Sequence, residues 1–434
     1  MANIWIKNAT IVTATDDQPI LTGHLIVQGD RITHIGTELP DWHHTVSFDD
    51  IIDTPNRLYM PGLVNTHTHA AMSYLRGFAD DMALQTWLED YMWPNEAKFT
   101  SDDVYWGAQL SVVEMIKSGT TSFLDMYDHM DRVAEVVQAS GLRACLTRGM
   151  IGFGPDDVLK QKLADAKAFA STWQGQANGR ITTMIAPHAP YTCPPAFITK
   201  AIEISAELNI PMHTHMSETA REVADNVAQY GERPVKHLQK LGFFDRPSIV
   251  AHAVHLTDEE IAILAAHDVR VAHNPGSNLK LASGIARVPD LLQAGVKVGL
   301  ATDSSASNNN LDMFEEMNLA ALLHKGTSQD PTVVPAQTAL QMATKMGAET
   351  IWLDGVGTLA VGQKADFIAI DIDQPHYYPR TNLISHLAYS GGGQDVTDMW
   401  VDGARIMKNK EILTIDEAHT KAEVQRRYEA LMNR

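Results

Sequence analysis

Cysteine is nearly absent: the 434 residues include two, Cys145 and Cys193. That rules out a disulfide framework, so a reducing compartment, the cytoplasm, is the expected location. Cationic charge is also scarce, with 34 Lys and Arg against 53 Asp and Glu, a formal net charge of −19. Neither nucleic acid nor an anionic membrane is an expected partner, because both demand a basic face. No apolar run approaches the ~18 residues of a membrane span. Met1–Val12 alternates apolar and polar residues and lacks the charged-then-apolar order of a signal peptide. The remaining expectation is a globular protein taking a small, roughly neutral molecule into a cleft; composition leaves a homo-oligomer open.

The chain is long enough for a barrel-sized domain and a second, smaller one. Up to about residue 57 it reads as short strands, with Ile4-Trp5-Ile6, Ile11-Val12 and Leu25-Ile26-Val27 β-rich and Gly29-Asp30 a turn signal. From Leu58 the rhythm changes to β-branched segments alternating with helix-length ones. The predicted strands are Tyr59–His67, Thr121–Met126, Arg143–Met150, Ile181–His188, Pro211–Met216, Ser248–Ala253, Val269–His273 and Val296–Thr302. Periodic stretches such as Val104–Lys117, Ala196–Leu208 and Asp258–Ala266 predict helices between them. Eight strands with helical crossovers give an α/β fold, a (β/α)₈ TIM-type barrel. Strand patterns return after Gly355, clearest at Asp366–Ile370 and Met399–Val401. The expected organisation is therefore a barrel over 58–355 and a small β-sandwich domain built from both chain ends, 1–57 and 356–434, the latter with a terminal helix.

Nineteen histidines are present, and their placement is informative. His67 and His69 end the first barrel strand; two residues apart, they point to the same side. His213-Thr214-His215-Met216-Ser217-Glu218 ends the fifth strand, His252 the sixth, and Asp303 the eighth. All lie at C-terminal strand ends, the face where such barrels carry their active sites. His213, His255 and His273 also lie near strand ends and are read as structural.

The Pro61-Gly62-Leu63-Val64-Asn65-Thr66-His67-Thr68-His69 segment, with Gly357-Thr358-Leu359 through Gly362-Gln363-Lys364-Ala365-Asp366, closely resembles the amidohydrolase superfamily over nearly the whole chain. The resemblance implies metal ligation by His67, His69, His215 and Asp303. Imidazole and carboxylate suit zinc, although iron or another divalent ion also fits. Binuclear members bridge two metals with a carboxylated lysine on the fourth strand; Ile181–His188 contains no lysine, so one metal per chain is expected. Glu218, three residues past His215, is placed to shuttle protons, with His252 and Asp303 holding and deprotonating the water.

Met72–Thr100, rich in aromatics and acids, is long enough to form a lid over the barrel mouth. Tyr74-Leu75-Arg76-Gly77, Gln85-Thr86-Trp87-Leu88-Glu89 and Met92-Trp93-Pro94-Asn95-Glu96 are similar to the deaminases of 5′-methylthioadenosine and S-adenosylhomocysteine. That similarity implies that Glu96 accepts bonds from the two ribose hydroxyls and that Trp87 packs near the ribose or thioether. Arg148 and His188 map onto substrate-binding positions, although Arg148 is also suited to pairing with a local acid. Guanine, oxidised-purine and triazine aminohydrolases are the nearest alternatives, followed by an amide-ring hydrolase and a silent barrel scaffold.

Overall fold

In the computed structural model, which describes residues 2–434, the strand expected over Tyr59–His67 is two strands in different sheets. Asn3–Val12 (β1), Ile20–Gln28 (β2), Arg31–Gly36 (β3), Asp50–Asp53 (β4) and Arg57–Pro61 (β5) share one sheet, and Leu63–Thr68 (β6) opens another. Gly62 makes the switch. Its N–H donates to the Asp366 carbonyl at 3.1 Å, whereas the next N–H, of Leu63, donates to Gly119 at 2.9 Å. A Cβ on Gly62 would lie 2.1 Å from the Thr121 side chain, so this close approach requires glycine.

From β6 the barrel continues through Thr120–Tyr127 (β7), Arg143–Met150 (β8), Ile181–Pro187 (β9) and Met212–Met216 (β10). Ser248–His252 (β11), Arg270–His273 (β12) and Val298–Leu300 (β13) complete it, each strand parallel to its sequence neighbour. The seam between β13 and β6 is closed largely by side chains. Thr66 donates to the Leu300 carbonyl at 2.9 Å, and the Asn65 amide donates to Thr302 Oγ1 at 2.7 Å while accepting from Thr302 N at 3.1 Å. The last strand therefore stops at Leu300 instead of the expected Thr302, whose N–H is taken by a side chain. Val64, Leu124, Cys145, Met184, Ile249 and Ala272 fill the interior, and Ala348, Ile351 and Leu353 pack against them. Both cysteines are buried and unpaired.

Phe367–Asp371 (β14), Val396–Val401 (β15), Ala404–Lys408 (β16) and Glu411–Ile412 (β17) return to the first sheet, completing nine strands of mixed direction from both chain ends. The two-residue strand period sorts its faces. Leu58, Met60, Ile368 and Met399 pack into the barrel's outer core, while Tyr59, Phe367 and Trp400 enclose a second core. The terminal helix Glu417–Met432 lies against the helix Ser101–Ser118, where Gln109 donates to Thr420 at 2.8 Å. Among the described residues, no helix is long and apolar enough to cross a membrane.

One buried ion-pair cluster joins barrel to sheet. Arg143, at the start of β8, donates to Asp366 at 2.8 and 3.2 Å and to Asp402 at 2.6 Å. Arg143 and Asp366 are only 4% and 2% exposed. Removing one partner strands a buried charge at a cost of ~3–5 kcal/mol. Arg143→Met is therefore expected to lower the unfolding free energy by about that amount in denaturant titration. A loss under ~1 kcal/mol, the range of an exposed pair, would contradict this role.

Candidate active site

The proposed ligand atoms converge at the C-terminal face of the barrel. His69 Nε2 lies 3.3 Å from Asp303 Oδ1 and 3.3 Å from His215 Nε2, and His67 Nε2 lies 3.5 Å from Asp303 Oδ1. Atoms bound to one tetrahedral ion at ~2.0–2.1 Å stand about 3.3–3.4 Å apart, so the spacing fits. The tautomers fit as well. A carbonyl can only accept, so His213 Nδ1–H donates to Ile249 O at 3.2 Å, leaving His213 Nε2 to accept from His67 Nδ1–H at 2.9 Å. His67 Nε2 is then a bare lone pair, buried and without a hydrogen-bond partner among the described residues. By the same logic His69 Nδ1–H donates to Met126 O at 2.6 Å and His215 Nδ1–H to His188 O at 2.7 Å, turning each Nε2 inward. Burial lowers the pKa of His67 to about 4 and that of His215 well below the usual range, so both rings are neutral, as ligands must be.

Asp303 turns Oδ1 toward His67 and His69. Its other oxygen, Oδ2, accepts from Ser277 at 2.7 Å and Ser307 at 2.8 Å. His252 Nδ1 lies 2.8 Å from Asn278 Oδ1, which fixes the proton there and leaves Nε2 free, 3.7 Å from Glu218 Oε2. Burial raises the Glu218 carboxyl, against the pull of His252. The Glu222 carboxylate accepts the N–H groups of Ser217 at 2.8 Å and Glu218 at 2.7 Å, pinning this turn. Ser217, His252 and Asp303 all have left-handed backbones, with φ of 52°, 72° and 62°. Such strain costs ~1–3 kcal/mol per residue and clusters at functional sites.

A cavity of about 470 Å³ opens over these groups and is lined by His69, His188, His215, Glu218, His252 and Asp303. Its outer wall is the segment expected to act as a lid. Within it, Leu84–Thr86 passes into a π-helical turn, Trp87–Met92, and then Trp93–Glu96. Single π turns of this kind are frequent at functional sites. Trp87 and Glu96 both line the cavity; Glu96 Oε1 accepts from the Tyr127 hydroxyl at 2.6 Å. His188 also lines it, its Nδ1 lying 2.9 Å from Thr192 Oγ1, and burial lowers its pKa to about 3. Arg148 reaches the cavity too, but its Nη2 is already 3.1 Å from Asp128 and 3.3 Å from Asp165.

Of the three histidines read as structural, His213 turns out to orient a proposed ligand. The signal was present, since His213 and His215 repeat the two-residue spacing of His67 and His69. His255 Nε2 lies 2.7 Å from the Ser283 carbonyl, and His273 Nε2 lies 3.2 Å from His324 Nε2. Ser277, Ser307, Asn278, Glu222 and Tyr127 were missed, because tertiary packing rather than motif spacing brings them to the site: Ser277, Asn278 and Glu222 lie in helices, Tyr127 ends β7, and Ser307 lies in a turn.

Residues 58–406 match the amidohydrolase family. The chain is 44% identical over 434 residues, all of both chains, to the 5-methylthioadenosine/S-adenosylhomocysteine deaminase of Thermoanaerobacter pseudethanolicus. It is 50% identical over 379 residues, 87% of this chain and 88% of the relative, to the enzyme of the same name from Dictyoglomus thermophilum. Among solved structures it is similar to a zinc-bound adenosine deaminase from Xanthomonas campestris, with a TM-score of 0.93 and 34% identity over 100% of this chain and 99% of the other. Both the family match and the full-length relatives place this chain in the amidohydrolase family.

Proposed function

We propose that the protein is a zinc-dependent hydrolytic deaminase of adenine nucleosides, converting 5′-methylthioadenosine and S-adenosylhomocysteine to inosyl products and ammonia. The observation that carries this reading is one cavity lined by His69, His215 and Asp303 of the proposed ligand set together with the lid residues Trp87 and Glu96. The names of the full-length relatives agree with it.

The four ligand residues would hold one divalent metal, which when bound supplies an activated water by lowering its pKa from ~15.7 toward ~7. Every other step falls to the chain. His252, with its Nδ1 proton fixed by Asn278, offers Nε2 to orient and deprotonate the water. Glu218 gives a proton to the purine ring nitrogen as the water oxygen adds to the adjacent amino-bearing carbon. One water proton, taken up by His252, then goes to the amine as the C–N bond breaks and ammonia leaves, while the remaining hydroxyl proton returns to Glu218 as the carbonyl forms. Trp87 packs against the sugar or thioether, His188 and Arg148 line the remaining wall, and Glu96 accepts from the ribose hydroxyls.

Glu96→Ala tests the substrate half of this reading. A hydrogen bond to a charged group contributes ~1.5–3 kcal/mol, so losing both ribose bonds lowers kcat/KM by at least ~10²-fold. Ammonia-release assays are expected to show that loss on methylthioadenosine and S-adenosylhomocysteine and a far smaller one on free adenine. Equal losses on nucleoside and base would remove Glu96 from sugar recognition.

A further inference from the structure

The Glu96 carboxylate belongs to the lid, yet it is held from the barrel. Its side chain has one hydrogen-bond partner among the described residues, the Tyr127 hydroxyl at 2.6 Å. Tyr127 is the last residue of β7, pairs in register with Arg148 of β8, and lines the same cavity. Its ring packs against Phe99, at 6.5 Å between centroids, and against the lid's apolar cluster of Met72, Leu84 and Trp87. The hydroxyl is thus delivered by a strand end to a carboxylate on a short irregular segment.

We propose that Tyr127 is a positioning residue that presents the Glu96 carboxylate to the ribose diol and so sets the preference for ribonucleosides over 2′-deoxynucleosides. The inference rests on the reading of Glu96 as the sugar-binding group. A carboxylate offers about four lone-pair sites over two oxygens. The phenol occupies one on Oε1, which stops the carboxylate from rotating and leaves Oε2 with the rest of Oε1 for two hydroxyl donors. Order imposed before binding lowers the entropy cost of forming those bonds. Two further effects agree with the geometry. Burial raises the Glu96 carboxyl, and the Tyr127 bond opposes that rise, favouring the ionised acceptor. Burial also raises the Tyr127 phenol well above its usual value, so it remains a donor. A phenylalanine would keep the packing and lose only the bond.

The test is steady-state deamination of adenosine and 2′-deoxyadenosine by the metal-loaded wild type, Tyr127→Phe, Glu96→Ala and the double variant. For Tyr127→Phe, KM for adenosine is expected to rise ~10-fold with kcat within about twofold, and the ribo-to-deoxy ratio of kcat/KM to fall at least ~5-fold, about 1 kcal/mol at ~1.4 kcal/mol per decade. In the Glu96→Ala background Tyr127→Phe should add nothing, because coupled residues are non-additive. Unchanged KM and selectivity, equal losses on both nucleosides, or a loss that multiplies with that of Glu96→Ala would overturn the proposal. A wild type indifferent to the 2′-hydroxyl, with Glu96→Ala silent, would overturn the Glu96 reading itself and the proposal with it.

Discussion

Glu218→Gln is expected to lower kcat about 10³-fold, inside the ~10²–10⁴ range of a positioned acid–base group. The amide matches the carboxylate in shape, and the backbone N–H of residue 218 keeps its 2.7 Å bond to Glu222, so the turn should persist. What disappears is the transferable proton. His252 Nε2, 3.7 Å from Glu218 Oε2, is assigned to the water, so it cannot replace a donor at the purine ring. Glu218 is not among the proposed ligands, and metal content should match the wild type. Ammonia release and elemental analysis of one preparation check both halves. Near-normal turnover, or loss of metal together with activity, would assign Glu218 a different role.

Asp303→Asn should be at least as damaging, but with the opposite signature in metal content. Asp303 Oδ1 faces His67 and His69 while Oδ2 accepts two serine hydroxyls, so both oxygens act as acceptors. An asparagine must turn its NH₂ toward either the proposed ligand cluster or the serines, and it removes the one carboxylate of the proposed ligand set. The expected result is a fall of at least ~10³-fold in kcat together with metal content well below one per chain, whereas the wild type should carry one. Metal bound only by the folded state stabilises it by RT ln(1 + [M]/Kd), so chelation should lower the wild-type melting temperature and should barely affect the variant. Two tightly bound ions in fully active wild type would contradict the single-metal assignment. A fully occupied Asp303→Asn protein would contradict the ligand assignment.

The barrel was legible because its strands are short β-branched runs at regular intervals and the stretches between them carry a helical apolar period. Thr100 with Asp103 and Thr257 with Glu260 form capping boxes, and the helix expected at Asp258–Ala266 has those bounds. The break at Gly62 was not legible. Both sides of it are apolar and extended, and periodicity cannot tell which sheet an extended residue joins; the close contact with Thr121 decides that. Strand ends made the convergence of His67, His69, His215 and Asp303 readable, since a two-residue spacing fixes direction whatever the tertiary context. Asn278 and Ser277, in the short helix Pro275–Lys280, and Ser307, in the turn after β13, carry no such pattern. Arg148 was correctly suspected of pairing with an acid, but its partners Asp128 and Asp165 come from a different strand end and a helix, so sequence distance did not name them.

Deamination of an adenine base that carries its ribose is tested most directly by kcat/KM of the zinc-loaded wild type on 5′-methylthioadenosine, S-adenosylhomocysteine and adenosine against free adenine and guanine. The nucleosides are expected to exceed free adenine by at least ~10²-fold, the contribution of two charge-assisted bonds to Glu96, with guanine near background. A preference for guanine, or equal rates on adenine and its nucleosides, would contradict it.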